Sequence, residues 1–337
     1  MVEGAIRYRS SGQPVIRLKK WIVLALKVAV SVALLAYLAA NMDLAAAWQR
    51  MLAVAPLMLA LAIVVMFVQF GICALRWSAV MQAIGAGLPL RDLARIFFIG
   101  SFFNQALPSA VGGDAVRIFM VHKLGLSLGR AFNGVMLERV AIVVSIPLLA
   151  TFVLPWFLPN VDDRYVPWIW AAFAFLVAGS VVGIALLVLL KKLPKNFHHW
   201  RLVKGLVGLG DDARRLFLSG RRTVAVLMWS VVGNANVSFA VYLLGRGLGL
   251  DIGVIDALAI SPFVMLATTV PISIGGWGVR EGVMVFSFAM IGISEDGSFA
   301  LSILLGLAIL VTSLPGGIVW LFTRDRPAVA DLLDDVH

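Results

Sequence analysis

The chain has 337 residues, 61% of them hydrophobic and 14% charged. A soluble globular domain carries about a quarter charged residues, so this composition excludes an ordinary soluble enzyme, a disordered chain and a nucleic-acid binder, and leaves a polytopic membrane protein. The net charge of +10 then reports topology, because cytoplasmic loops collect Lys and Arg, and the single cysteine, Cys73, excludes a disulfide framework and a thiolate metal site.

In chain order, a basic tail over 1–20 precedes a first span at 21–40. Its apolar run exceeds the roughly 7–15 residues of a signal-peptide core, so it reads as an uncleaved helix. About 20 apolar residues cross a bilayer core about 30 Å thick, and five further stretches reach that length: 53–75, 131–154, 168–190, 223–244 and 299–322. Two apolar stretches are too short. At about 1.5 Å per residue, 96–107 covers about 18 Å and 257–270, with Pro262 inside it, about 21 Å, so each is expected to enter the membrane and turn back. Irregular backbone survives at that depth only against protein or water, which puts both inside the bundle. The segment 191–222 is basic, and within 200–218 it sets Leu202, Leu206, Leu209, Leu216 and Phe217 among Arg and Lys. That is the pattern of an interfacial helix facing anionic headgroups at the cytoplasmic surface. A second tail covers 326–337.

Five basic residues precede residue 21, nine lie within 191–222, and 22 of the 28 fall on one face of this topology. Positive-inside counting puts both termini in the cytoplasm. Arg76, Arg91 and Arg95 then lie near the inner surface, with Asp162, Asp163, Glu295 and Asp296 outside.

Residues 107–117 align without gaps on 270–280, sharing Pro-x-x-[Val/Ile]-Gly-Gly-x-x-Val-Arg at an offset of 163. The flanking spans repeat at the same offset, and the first short stretch starts from the cytoplasmic side, the second from outside. The expected fold is therefore all-α, with six transmembrane helices plus two re-entrant Gly-Gly units in an inverted-topology repeat covering 21–160 and 163–325. Paired Gly/Pro-interrupted segments in inverted repeats point to a transporter's central site. The alternative is that the small residues only permit close helix packing.

Charges inside a membrane are costly, so they are paired or functional. Asp114 and Arg117 follow Gly112-Gly113 and are one helical turn apart; Arg280 and Glu281 follow Gly275-Gly276. Glu138 and Arg139 lie inside the span that starts at 131, and because helical neighbours point about 100° apart they are free to reach different partners. Asn104 and Gln105 precede the first loop, while Asn234 and Asn236 are expected to hydrogen-bond between helices. No G-x-x-x-x-G-K-[ST], H-E-x-x-H or G-x-S-x-G motif occurs, and His198-His199 has no partner at ligand spacing. No cofactor or metal is expected.

The run Phe103-Asn104-Gln105-Ala106-Leu107-Pro108-Ser109 through Gly112-Gly113-Asp114 to Arg117, then Glu138-Arg139, then Pro271 through Gly275-Gly276 to Arg280-Glu281, resembles the flippase-like transmembrane domain of lysylphosphatidylglycerol synthases. It is equally similar to stand-alone membrane proteins that share this domain. The resemblance covers about residues 20–325 and implies translocation of a lipid with a polar or anionic head between leaflets. No aminoacyl-transferase domain follows within the sequence, so lysine transfer is not expected and the lipid need not be lysylphosphatidylglycerol.

The expected site lies between the two Gly-Gly loops. It comprises Asn104, Gln105, Pro108, Ser109, Gly112, Gly113, Asp114, Arg117, Glu138, Arg139, Pro271, Gly275, Gly276, Arg280 and Glu281, with free backbone N–H groups and helix N-termini favouring an anion. Packing alone gives no reason for a guanidinium at both 117 and 280. The rivals are an intramembrane lipid-modifying enzyme with Glu138 or Asp114 as base, and a non-catalytic membrane partner subunit. The expected setting is a bacterial inner membrane with a membrane lipid as substrate and no nucleic acid; the sequence leaves the oligomeric state open.

Overall fold

The computed structural model describes residues 43–107, 112–190, 201–270, 272, 273 and 275–323, together with 26, 28–34, 36–38 and 40. The described residues form helices and connecting turns only: α1 (Leu44–Leu52), α2 (Pro56–Ala83), α3 (Leu90–Ala106), α4 (Gly112–Lys123), α5 (Leu128–Phe157), α6 (Val166–Leu189), α7 (Arg201–Phe217), α8 (Arg221–Gly247), α9 (Val254–Thr268), α10 (Val279–Ala289) and α11 (Glu295–Leu321). Of these, α2, α5, α6, α8 and α11 are long and apolar enough to cross a membrane. They match five of the six expected spans. The sixth, 21–40, falls largely outside the described residues, although 28–34 and 36–38 are helical.

Local chemistry sets several of the helix starts. Asp43 accepts the Ala46 N–H at 2.9 Å ahead of α1, and Ser127 accepts the Arg130 N–H at 3.4 Å ahead of α5. Pro56 opens α2, where its missing N–H costs nothing. Ser180 is the one buried residue of α6; a helix apolar on every side has no inward stripe and suits lipid all round.

One boundary needs correction. The span expected to stop at Leu75 continues to Ala83, and Arg76 lies within the helix at 5% exposure. A charge read as the end of a span is instead a buried group.

The helix pairings repeat under a single exchange. Swapping α2 with α8, α3 with α9, α4 with α10 and α5 with α11 maps α3–α4 onto α9–α10, α4–α5 onto α10–α11 and α3–α11 onto α9–α5. It also maps α2–α3 onto α8–α9, α2–α11 onto α8–α5 and α2–α5 onto α8–α11, while α2–α8 maps onto itself. The central pair is antiparallel. The Ala55 N–H donates to the Gly247 carbonyl at 2.9 Å, and further along Asn236 donates to the Val65 carbonyl and to Gln69, each at 2.9 Å.

Contacts between elements define two ends. At one, Arg50 pairs with Asp296 at 2.7 Å and the Asp162 N–H donates to the Met290 carbonyl at 3.4 Å. At the other, Asn133 donates to Asp212 at 2.8 Å and Thr223 Oγ1 to the Leu216 carbonyl at 2.6 Å. This second end carries α7, the segment expected to be interfacial, with Arg214 and Arg215, and the Arg221-Arg222 start of α8. It is the basic end.

Each end has its own apolar core. Trp77, Leu93, Ile99, Val116, Leu137 and Leu216 cluster at the basic end, and Leu154, Phe157, Leu244, Ile252, Phe288 and Leu305 at the other. Leu93 near the start of α3 lies in the first core and Ile252 just before α9 in the second, so α3 and α9 start at opposite ends. For side chains whose alternative surroundings are lipid, close packing rather than exclusion of water holds such cores. Small residues make it possible: a Cβ on Gly113 would overlap the Gly100 carbonyl oxygen, and one on Gly316 that of Phe98.

Candidate functional site

The two hairpins turn over similar contacts. In the first, the Gly113 N–H donates to Asn104 Oδ1 at 2.9 Å, folding α4 back onto the end of α3. In the second, a Cβ on Gly276 would lie 2.9 Å from the Thr268 Cβ. The backbones solve the turn differently. Gly275, Gly276 and Gly278 have φ of 58°, 80° and 88°, values that a Cβ opposes, whereas Gly112 and Gly113 already belong to α4 and are required by close approach. The tips meet: a Cβ on Gly275 would lie 4.0 Å from Gln105 Oε1.

Beside the first hairpin runs a chain of charges, buried except at its Arg139 end. Glu138 on α5 accepts from Arg76 Nε at 3.1 Å and Nη2 at 3.0 Å through one carboxylate oxygen. Its other oxygen accepts from Arg117 Nη2 on α4. Arg117 Nη1 also donates to Asp114 at 3.3 Å, and Asp114 accepts in turn from Arg139 on α5. The order Arg76, Glu138, Arg117, Asp114, Arg139 thus ties α2, α4 and α5 together. Glu138 and its neighbour Arg139 do take different partners, as their helical spacing allows. Arg117 lies over the Trp77 ring at 4.1 Å and the Phe97 ring at 4.6 Å, both attractive to a cation.

The second half holds a smaller counterpart. Arg280 donates to Glu281 from Nη2 at 2.7 Å and from Nε at 3.2 Å, and also to Ser302 on α11 at 3.2 Å. Its guanidinium lies 4.5 Å from the Trp277 ring centre. Position 277 aligns with Asp114 at the offset of 163, so an aromatic face stands where the first half has a carboxylate.

A matching family model, described as the lysylphosphatidylglycerol synthase TM region, covers residues 24–317. The chain belongs to this family. It is similar to a UPF0104 membrane protein of Methanothermobacter thermautotrophicus, 24% identical over 274 residues that cover 74% of this chain and 80% of that protein. It is also similar to one of Methanocaldococcus jannaschii, 22% identical over 249 residues, covering 68% and 73%. Both relatives are archaeal, and they speak for a multi-pass membrane protein rather than for a bacterial membrane.

In this member of the synthase TM region family, Asp114, Arg117, Glu138 and Arg139 come together, Arg280 and Glu281 form a separate pair, and Asn104 and Gln105 sit at the hairpin tips. Pro108, Ser109 and Pro271 lie outside the described residues. Two expectations change. Packing does give a reason for both guanidiniums, since Arg117 and Arg280 are 5% and 4% exposed on buried carboxylates. The backbone N–H groups expected to be free at the loops are in part taken, that of Gly113 by Asn104 and that of Gly278 by Glu281.

Arg76 was not among the expected site residues. Its signal was the apolar series Trp77, Val80, Met81 and Ile84 beyond it, which continues the helix rather than ending it. Another feature unseen in sequence is an apolar cavity of about 780 Å³ between α5, α6, α9 and α10, with Arg164 and Tyr165 among its lining residues.

Proposed function

We propose that this protein moves a polar-headgroup lipid between membrane leaflets, as a flippase or scramblase and not as an enzyme. The observation that carries this reading is the exchange of helix pairings between the two halves, with α2 and α8 antiparallel and α3 and α9 starting at opposite ends. With the basic end in the cytoplasm, both termini are cytoplasmic, six helices cross, and α3–α4 and α9–α10 are re-entrant from opposite sides. Two similar halves of opposite orientation can trade conformations, which exposes a central site to each side in turn.

The headgroup is held where the hairpin tips meet, around Asn104, Gln105 and Gly275, with Asp114, Arg117, Glu138 and Arg139 on one side and Arg280 and Glu281 on the other. The acyl chains stay in lipid, and α7 lies along the cytoplasmic surface with Arg214 and Arg215 toward anionic headgroups. A lipid-modifying enzyme fits less well, because Asp114 and Glu138 are each engaged by two guanidiniums, an arrangement suited to binding rather than to proton abstraction. The test is translocation of fluorescent lipids by the purified protein in liposomes. Transfer above that of protein-free vesicles is expected; a folded protein that moves none of the lipids offered overturns the reading.

A further inference from the structure

Resting on the translocation reading, we infer that the headgroup is a phosphate-bearing monoanion and that it binds at the Arg117–Arg139 edge of the first hairpin. The charge count carries the argument. Among the described residues the network sets three guanidiniums, Arg76, Arg117 and Arg139, against two carboxylates, Asp114 and Glu138, so it holds one uncompensated positive charge. Four of the five groups are buried, where charges are weakly screened, and one monoanion at the exposed Arg139 end restores neutrality.

A second observation is an open donor in the same network. Arg117 Nε is buried and has no hydrogen-bond partner, although its guanidinium serves both carboxylates. An open N–H donor suits phosphate, which presents several strong acceptors to guanidinium groups. The network is also open at one end only. The side chains of Arg76, Arg117, Asp114 and Glu138 are at most 6% exposed, while that of Arg139 is 35% exposed, so an arriving anion meets Arg139 first.

Among its described residues the other half offers no equivalent. Arg280 and Glu281 cancel, and the position matching Asp114 is Trp277. The anion is therefore taken by the first half, and a headgroup of net positive charge, such as that of lysylphosphatidylglycerol with one phosphate and two amines, adds to the excess instead of balancing it.

The test uses the full-length protein in phosphatidylcholine liposomes with trace acyl-labelled phosphatidylglycerol, phosphatidylethanolamine or lysylphosphatidylglycerol. Phosphatidylglycerol should cross at least about tenfold faster than the other two, equivalent to about 1.4 kcal/mol. Equal or faster transfer of the zwitterionic or cationic lipid overturns the inference and leaves the translocation reading standing. If no lipid moves, the translocation reading falls, and the anion site is read by thermal stabilisation in detergent with short-chain phosphatidylglycerol or inorganic phosphate. Stabilisation by the lipid alone assigns the site to a headgroup and stabilisation by phosphate to a free anion; stabilisation by neither overturns the site. Arg139→Gln should remove the headgroup preference and Arg139→Lys should keep part of it. An unchanged preference in Arg139→Gln overturns the placement.

Discussion

Replacing Glu138 by Gln keeps the shape of the side chain and removes the charge that Arg76 and Arg117 share. Glu138 is 1% exposed and accepts three guanidinium hydrogen bonds, so neither water nor rearrangement compensates the loss. Removing one partner of a buried ion pair costs about 3–5 kcal/mol, and here it leaves three guanidiniums facing Asp114 alone. At about 2 °C per kcal/mol for a large domain, the thermal midpoint in detergent should fall by at least about 6 °C. Adding Arg76→Gln withdraws one guanidinium and returns the network to its original excess of one charge. Arg76→Gln/Glu138→Gln should therefore be more stable than Glu138→Gln alone, with a coupling of about 0.5–3 kcal/mol in the double-mutant cycle. Thermal unfolding followed by tryptophan fluorescence measures all four proteins. A Glu138→Gln midpoint equal to that of the parent, or a double variant no better than the single one, would show that the pair does not hold α2 to α5.

Gly113→Ala should lower folded yield sharply, since its Cβ would overlap the Gly100 carbonyl oxygen, whereas Gly129→Ala, with nothing within 4 Å, should be neutral or up to about 1 kcal/mol more stable; equal behaviour of the two variants would refute the close approach of α3 and α4. Gly306→Ala puts a methyl into the Arg280 guanidinium, and overpacking of this kind costs about 1–3 kcal/mol. Its midpoint should partly recover on adding Arg280→Lys, the thinner cation, and no recovery would place the strain elsewhere. A cysteine at 162, where the Asp162 side chain is 50% exposed, should react with an impermeant thiol reagent in intact cells, and one at 222 should not; the reverse pattern would invert the topology.

Much of the architecture was legible because it rests on local quantities. Span length against bilayer thickness located α2, α5, α6, α8 and α11, and the short apolar stretches 96–107 and 257–270 overlap α3 and α9, each of which starts earlier than the stretch itself. The Gly-Gly repeat at an offset of 163 falls at the tips of the two hairpins, in matching places under the exchange of helix pairings, although the two copies solve the turn differently. Asn234 and Asn236 were read as interhelical hydrogen bonders; Asn234 donates to Ser145 and Asn236 to Val65 and Gln69.

The site was legible only in its membership. Sequence by itself determined that Asp114, Arg117, Glu138, Arg139, Arg280 and Glu281 needed a reason to be in a membrane, because an unpaired charge in hydrocarbon is costly whatever its surroundings along the chain. Only the tertiary structure decided which charge meets which. Arg76 pairs with Glu138 across 62 residues of chain, while Arg280 takes its own neighbour Glu281, although Arg117 and Arg280 occupy matching places in the repeat. It also decided that one glycine pair serves close approach and the other positive φ. Such choices follow from which helix faces end up opposed, and that is set by the packing of α2, α4 and α5 as bodies, which no periodicity along a single helix encodes.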